Sequence, residues 1–157
     1  MGVGSNFGEA FNKSQRGSGA VIPRSGSVLI SVRDSDKQEA VELAAYFADN
    51  GFTVIATGGT ADVIEQAGVK VRRVNKVKEG RPHVVDLVKD GELDLIINTT
   101  SGKQSLTDSY TIRREVLMNG VTYYTTIAAA KAACEAHKAF DDSVSVVRLQ
   151  DLHAAMN

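Results

Sequence analysis

Short apolar runs alternate with longer amphipathic segments along most of the chain. Runs of aliphatic and β-branched residues, such as 27–32 and 93–97, predict strands that are buried on both faces. The segment after the first run carries apolar residues at helical spacing, including Ala40, Leu43 and Phe47. Strands that alternate with helices in this way predict a parallel sheet with helices on both faces, and therefore an α/β fold.

The pattern predicts six strands, over residues 27–32, 53–56, 69–74, 93–97, 121–124 and 143–147, the last at an edge of the sheet. Helices are expected to begin after Asn6 and to follow the strands, over residues 37–50, 61–68, 83–90, 108–119, 126–137 and 150–156. Asn6 with Glu9, and Asp36 with Glu39, match the capping-box spacing at a helix start.

The opening of the chain differs from the rest. Residues 1–16 predict a short helix, and the glycine- and serine-containing segment 17–26 predicts a linker. We therefore expect residues 27–157 to form one domain. The opening helix is either a docking helix or the remnant of a preceding domain.

Composition narrows the function classes. Apolar residues make up 43% of the chain and charged residues 24%, which is typical of a globular protein. The net charge of −1 gives no global field for recruiting nucleic acid or an anionic membrane. Cys134 is the only cysteine, and the three histidines lack ligand spacing, so we expect neither a disulfide framework nor a metal site. No apolar run reaches membrane-spanning length and no signal-peptide pattern is present, so a cytoplasmic location is expected.

The turn Thr57-Gly58-Gly59-Thr60 joins the second predicted strand to a helix. At such a turn several backbone N–H groups lack helical partners and the helix dipole adds partial positive charge, which suits an anion. Its simplest alternative is a tight turn with a threonine as helix N-cap.

Polar side chains also follow the other predicted strands, where ligands bind in open α/β sheets. Lys37 follows the first strand and Lys76 the third, while Asn98, Thr99, Thr100 and Ser101 follow the fourth. Ammonium, hydroxyl and amide donors gathered at one edge suit a phosphate monoester. Each also has a plainer explanation: Lys37 as a solvated helix residue, and Asn98 as the opening of a loop. Asp108 is either a helix N-cap or an acceptor for ribose hydroxyls.

Several stretches match one family: SVRDSDK (31–37), GFTVIATGGTADVIEQAG (51–68), VNKVKEGRPHVVDLVKDGELDLIINTTSGK (74–103) and DSYTIRREVL (108–117). Through them, nearly the whole chain resembles the C-terminal allosteric domain of carbamoyl-phosphate synthetase large subunits. The opening MGVGSNFGEAFNKSQ is similar to the last helix of the ATP-grasp unit that precedes that domain. The resemblance implies a methylglyoxal-synthase-like fold, with a five-stranded parallel sheet and helices on both faces.

The resemblance also implies a ligand. Domains of this family bind the inhibitor UMP and the activator IMP at one site. The implied phosphate ligands are Lys37, Thr57, Thr60, Lys76, Asn98 and Thr100. Asp108 would then hold the ribose, Val77 and Ile112 would flank the base, and Ser31, Gly58 and Asn75 would lie behind the phosphate ligands.

Two positions depart from the family pattern. The turn that contacts ornithine, often Tyr-Asp-Thr, reads Tyr123-Tyr124-Thr125 here, so Tyr123 and Thr125 are the candidate ornithine contacts. Gly58 stands where some members have histidine, a change that could alter nucleotide preference.

The resemblance extends to partners. The parent enzyme would be a glutamine-hydrolysing ligase of pyrimidine and arginine biosynthesis that uses ATP, Mg or Mn, and K, whereas this domain itself needs no cofactor. Its implied partners are the rest of the large subunit and the glutaminase small subunit. Contacts between copies of the chain are a further candidate.

Two enzymes offer alternatives. Methylglyoxal synthase shares the fold but needs a carboxylate base near the substrate carbon. The corresponding regions read EGRPHVVD and NTTSG here, and Asp86 lies further along, on a predicted helix. The cyclohydrolase domain of purine synthesis shares the STGGT-type turn but not the NTTSG stretch. A phosphate grip without a base favours binding over turnover.

Overall fold

A computed structural model of the chain describes residues 1–101, 103–139 and 146–155, with the backbone alone for residues 103–108 and 155. Its strands are β1 (Gly26–Ser31), β2 (Phe52–Thr57), β3 (Arg72–Val74), β4 (Leu95–Asn98) and β5 (Thr122–Tyr124). Its helices are α1 (Phe7–Gly17), α2 (Lys37–Asp49), α3 (Gly58–Gln66), α4 (Val84–Lys89), α5 (Lys103–Asn119), α6 (Ile127–Lys138) and α7 (Leu149–Ala155). A single 3-10 turn, Asp34–Asp36, leads into α2.

The five strands form one parallel sheet in the order β3-β2-β1-β4-β5. β1 lies at its centre, where Ile30 pairs with Ala56 of β2 on one side and Ile97 of β4 on the other. The prediction of a five-stranded parallel α/β sheet is confirmed. The sixth predicted strand, 143–147, lies in part outside the described residues, and its last two residues belong to no helix or strand.

Each face of the sheet carries its own apolar layer. Val28 and Ile30 of β1 point into a layer formed with α2, α3 and α6, whereas Leu29 points into a layer formed with α4 and α5. Successive residues of a strand face opposite sides, so a strand buried on both faces needs an unbroken apolar run. This requirement explains the pattern seen in the sequence.

Helix starts agree only in part with the predicted caps. The side chain of Asn6 accepts a hydrogen bond from the Glu9 N–H at 2.9 Å, as predicted. The prediction of a capping box at Asp36 is wrong. The Asp36 side chain makes no hydrogen bond to the helix start and instead accepts hydrogen bonds from the Arg33 guanidinium. The N-cap assignment of Asp108 is also wrong, because α5 begins at Lys103 and carries this residue inside the helix.

The segments before β1 lie against the domain. A Cβ atom on Gly8 of α1 would come within 2.4 Å of the carbonyl oxygen of Glu135 in α6, so the two helix backbones are in close approach. In the predicted linker, Ile22 is only 3% exposed, and the carbonyl of Val21 accepts a hydrogen bond from Thr122 at 2.6 Å. None of the described helices has the length and apolar character needed to cross a bilayer.

Candidate functional site

A cavity of about 250 Å³ opens at the carboxyl edge of the sheet. The ends of β1, β2 and β4, the loop after β3 and the inner side of α5 all contribute to it, as expected for a ligand site in a parallel α/β sheet. The lining residues are Ser31, Val32, Arg33, Asp34, Thr57, Lys76, Val77, Val84, Asn98, Thr99, Thr100, Ser101, Ser109 and Ile112.

Hydroxyl groups tie the ends of β1 and β2 together. The hydroxyls of Ser31 and Thr57 lie 2.8 Å apart. The Thr60 hydroxyl, on the first turn of α3, accepts the N–H of Val32 at 3.2 Å and reaches its carbonyl at 3.4 Å. Thr57 stands at the N-cap position of α3 without a side-chain cap bond. The hydroxyl of Thr57 is thus held on the floor of the cavity, and that of Thr60 is engaged with the β1 end.

The end of β4 supplies an amide and more hydroxyls. The Asn98 amide nitrogen donates to the phenol of Tyr123 at 2.8 Å and retains a second N–H. The Thr99 N–H donates to the carbonyl of Ser31 at 3.1 Å, and its hydroxyl accepts the N–H of Arg33 at 3.1 Å. Thr99 therefore fixes the loops after β1 and β4 to one another, and Thr100 follows it along the cavity wall.

Two cation groups border the cavity. The Lys37 ammonium forms an ion pair with Asp34 at 2.8 Å and lies 3.1 Å from where a Cβ on Gly59 would stand, above the start of α3. The Lys76 side chain lines the cavity from the opposite loop. In contrast, the Arg33 guanidinium is engaged by Asp36, with its Nε at 2.9 and 3.0 Å from the two carboxylate oxygens.

Both carboxylates beside the cavity remain ionised. The hydrogen bond and positive charge of Lys37, with a smaller contribution from Lys76, lower the pKa of Asp34. Burial opposes ionisation of Asp36, but hydrogen bonds from Thr99, Ser35 and Arg33 outweigh it and lower the pKa of Asp36 as well.

The structure brings most of the predicted site residues together. Seven of them line the cavity: Ser31, Thr57, Lys76, Val77, Asn98, Thr100 and Ile112. Lys37 and Gly58 lie beside it at the start of α3, and Thr60 lies beneath it. Asn75 pairs with His83 next to the loop that carries Lys76. The side chain of Asp108 lies outside the described part of the structure.

The two candidate ornithine residues point to different places. Tyr123 contacts Asn98 and packs in the layer formed with α4 and α5, with Arg113 lying 6.0 Å above its ring. Thr125 lines a neighbouring cleft at the start of α6, and this cleft shares Arg33, Thr99 and Thr100 with the main cavity.

Sequence reasoning missed five lining residues: Val32, Arg33, Asp34, Val84 and Ser109. Arg33 and Asp34 follow β1 directly, so the rule that was applied to the other strand ends would have found them. Ser109 lies on α5, and its placement depends on the phase of a helix whose start was predicted five residues too late.

Comparison with known proteins gives three findings. A family model described as "MGS-like domain" matches residues 39–125. Carbamoyl phosphate synthase large chains are similar over nearly the whole chain: that of Pseudomonas putida is 57% identical over 156 residues, covering 99% of this chain and 14% of the relative. The large chain of Vibrio cholerae is 47% identical over 154 residues, which cover 98% of this chain and 14% of that relative.

The chain thus spans about one seventh of the length of these relatives. Among solved structures, the crystal structure of ForH matches with a TM-score of 0.52 and 16% identity, covering 70% of this chain and 76% of that one. At that identity the match supports the fold alone.

Proposed function

Because this chain belongs to the MGS-like domain family, we propose that it is the effector-binding domain of a carbamoyl phosphate synthase large chain. In this proposal it binds UMP or IMP through the phosphate and relays their binding to the catalytic units. Two nucleotides that share one site can act in opposite directions if each favours a different conformation of the domain.

The observation that carries the proposal is the donor set of the cavity. The lining of one cavity at the carboxyl edge combines residues with hydroxyl, amide and ammonium groups: Thr57, Thr100, Asn98 and Lys76. A phosphate monoester offers several acceptor oxygens and two negative charges, which such donors match. Beside them, the apolar side chains of Val77 and Ile112 offer a surface for the flat face of a base.

The acid groups of the site argue against the enzymatic alternative. Asp34 is the one carboxylate among the described residues that line the cavity, and its lowered pKa makes it a weak base. Asp86, the other candidate, accepts the N–H of His83 in the capping box of α4 and does not line the cavity. Among the described residues that line the cavity, no carboxylate is suited to act as a base, which supports a binding role over the enzymatic alternative.

The proposal extends to further ligands and partners. Ornithine is proposed to act at Tyr123 and Thr125, the second of which lines the cleft beside the cavity. The remainder of the large chain, including the ATP-grasp unit from which residues 1–16 would derive, is the proposed partner, together with a glutaminase subunit and further copies of the chain. ATP, Mg or Mn, and K would be bound by the rest of the enzyme, in the cytoplasm.

Calorimetric titration of the chain with UMP and with IMP tests the proposal. We expect dissociation constants in the micromolar range, which corresponds to about −8 kcal/mol. Uridine and inosine serve as controls, because they lack the phosphate and should bind much more weakly. If neither UMP nor IMP binds while circular dichroism verifies the fold, the proposal is contradicted. Formation of methylglyoxal from dihydroxyacetone phosphate would instead favour the enzyme.

A further inference from the structure

A carboxylate of the protein is already paired with Lys37, one of the two cations of the candidate phosphate site. Asp34 lines the cavity immediately after β1, and its Oδ1 lies 2.8 Å from the Lys37 ammonium. Lys76, the other cation at this edge, lines the same cavity. An anionic side chain of the protein is thus paired with an ammonium group that the proposed ligand would need.

The contact is easily broken. The Asp34 side chain is 94% exposed, so it is anchored by the ion pair and not by packing. An ion pair with one exposed partner contributes little to stability, and the Asp34 carboxylate can move away while the Lys37 side chain, 28% exposed, stays in place. The hydrogen bond and positive charge of Lys37, with a smaller contribution from Lys76, lower the pKa of Asp34 and favour its ionised form.

The Asp34 carboxylate opposes the binding of a phosphate in this cavity in two ways. The phosphate needs N–H donors of Lys37 that now face Asp34, and it brings two negative charges close to a third. Either Asp34 moves away, or the phosphate binds against its repulsion. In both cases the affinity of the empty site is reduced.

We propose that Asp34 is an internal competitor for the phosphate, which closes the anion site through Lys37 until a ligand displaces it. This proposal rests on the proposed function, since it assumes that the cavity binds a phosphate. The observed dissociation constant is then the intrinsic one divided by the fraction of molecules in which Asp34 is displaced. The device favours ligands with a strong, doubly charged phosphate over weaker anions, which cannot displace the carboxylate.

The variant Asp34→Asn removes the charge and keeps the size and polarity of the side chain. We expect it to bind UMP and IMP roughly three- to tenfold more tightly than the unchanged chain, a gain in the range of an exposed ion pair plus a nearby repulsion. Inorganic phosphate should gain by a similar factor. Uridine and inosine should gain nothing, because their binding does not require the anion site.

Asp49→Asn is the matched control. It makes the same change in net charge at the exposed far end of α2, at the opposite edge of the sheet. Asp49→Asn should leave the affinity for every ligand unchanged. An equal gain in nucleotide affinity in both variants would overturn the proposal, because the change in net charge alone would then explain the effect.

The outcomes separate this proposal from the proposed function. If the unchanged chain binds the nucleotides and Asp34→Asn binds them no more tightly, the competitor role is overturned while the nucleotide site stands. If neither folded protein binds any phosphate ligand, the proposed function itself fails and the competitor role fails with it. If only Asp34→Asn binds the nucleotides, the result would support both the proposed function and the competitor role of Asp34.

Discussion

The turn into β5 at the amino edge of the sheet is closed by a backbone hydrogen bond, whereas the loop after β1 at the carboxyl edge is held by threonine hydroxyls. After α5 the chain turns at Gly120, where the Val121 N–H reaches back to the carbonyl of Val116 at 3.1 Å. At the other edge, the hydroxyls of Thr60 and Thr99 hold the N–H groups of the loop after β1.

The difference separates stability from ligand binding. A turn closed by main-chain bonds needs only a residue that tolerates the left-handed conformation, and φ is +69° at Gly91 and +67° at Gly120. An edge built from hydroxyls, amides and ammonium groups leaves donors directed into a cavity. We expect substitutions in the turns at the amino edge to change the free energy of unfolding. Substitutions of exposed groups at the carboxyl edge are expected to change the affinity for the proposed nucleotides.

The largest effect is expected for Lys76→Ala. Loss of a charged donor should weaken UMP and IMP binding by about 2–3 kcal/mol, roughly 30- to 150-fold. The side chain is exposed, so the urea midpoint should not move. Calorimetry and urea denaturation measure the two quantities. Lys70→Ala, at an exposed position before β3 at the amino edge, is the control; equal losses in both variants would break the contrast between the edges.

Gly120→Ala should give the opposite result. A left-handed residue with a Cβ costs about 1–2 kcal/mol of folding free energy, while nucleotide affinity should stay within error. Apart from the neighbours of Gly120 in the chain, no atom of the described residues lies within 4 Å of the added Cβ, so the cost comes from the backbone alone. Gly17→Ala, at the end of α1 with similar open space and no positive φ, should be neutral or slightly stabilising. A destabilisation of the same size at Gly17 would contradict the explanation.

An effect of similar size, but dependent on pH, is expected at Asp36, which is 6% exposed and bonded to Arg33. The pKa of Asp36 is lower in the folded protein than in the unfolded chain. The ionised carboxylate therefore contributes fully to the free energy of unfolding above the pKa of the unfolded chain, and this contribution is lost as the pH falls through the pKa of the folded protein. Asp36→Asn should therefore cost about 1–2 kcal/mol at pH 7.

This difference between Asp36→Asn and the unchanged chain should shrink in acid, below a pH of about 4. Urea midpoints of both proteins between pH 7 and pH 3 measure it. A difference that stays constant over this range would show that the loss is one of packing and not of charge.

The sequence predicted most of the sheet well because both faces of its central strands are buried. Apolar runs located β1, β2, β4 and β5 to within two residues at each end. The predicted segment for β3 is more polar, and this strand is three residues long where six were predicted, with two of its three residues exposed. The start of α5 was missed because residues 99–102, Thr-Thr-Ser-Gly, are typical of a loop. Such a segment gives no sign of where the helix that follows will begin.

The site could be predicted in outline, because carboxyl ends of parallel strands meet at one edge whatever the side chains are. Hydrogen-bond partners could not be predicted in the same way. Thr60 is near the cavity as expected, but its hydroxyl is engaged by the backbone of Val32. Asp36 looked like a helix cap and instead pairs with Arg33. Which of several nearby acceptors a polar group selects depends on distances that exist only after folding.

The close approach at Gly8 has a mechanical consequence. Where α1 crosses α6, the main chain of Gly8 faces the main chain of Glu135, and Gly8 contributes no side chain between them. Even one added methyl group at this position would force the two helix axes apart. A displacement of α1 is therefore expected to reach α6 directly through this contact.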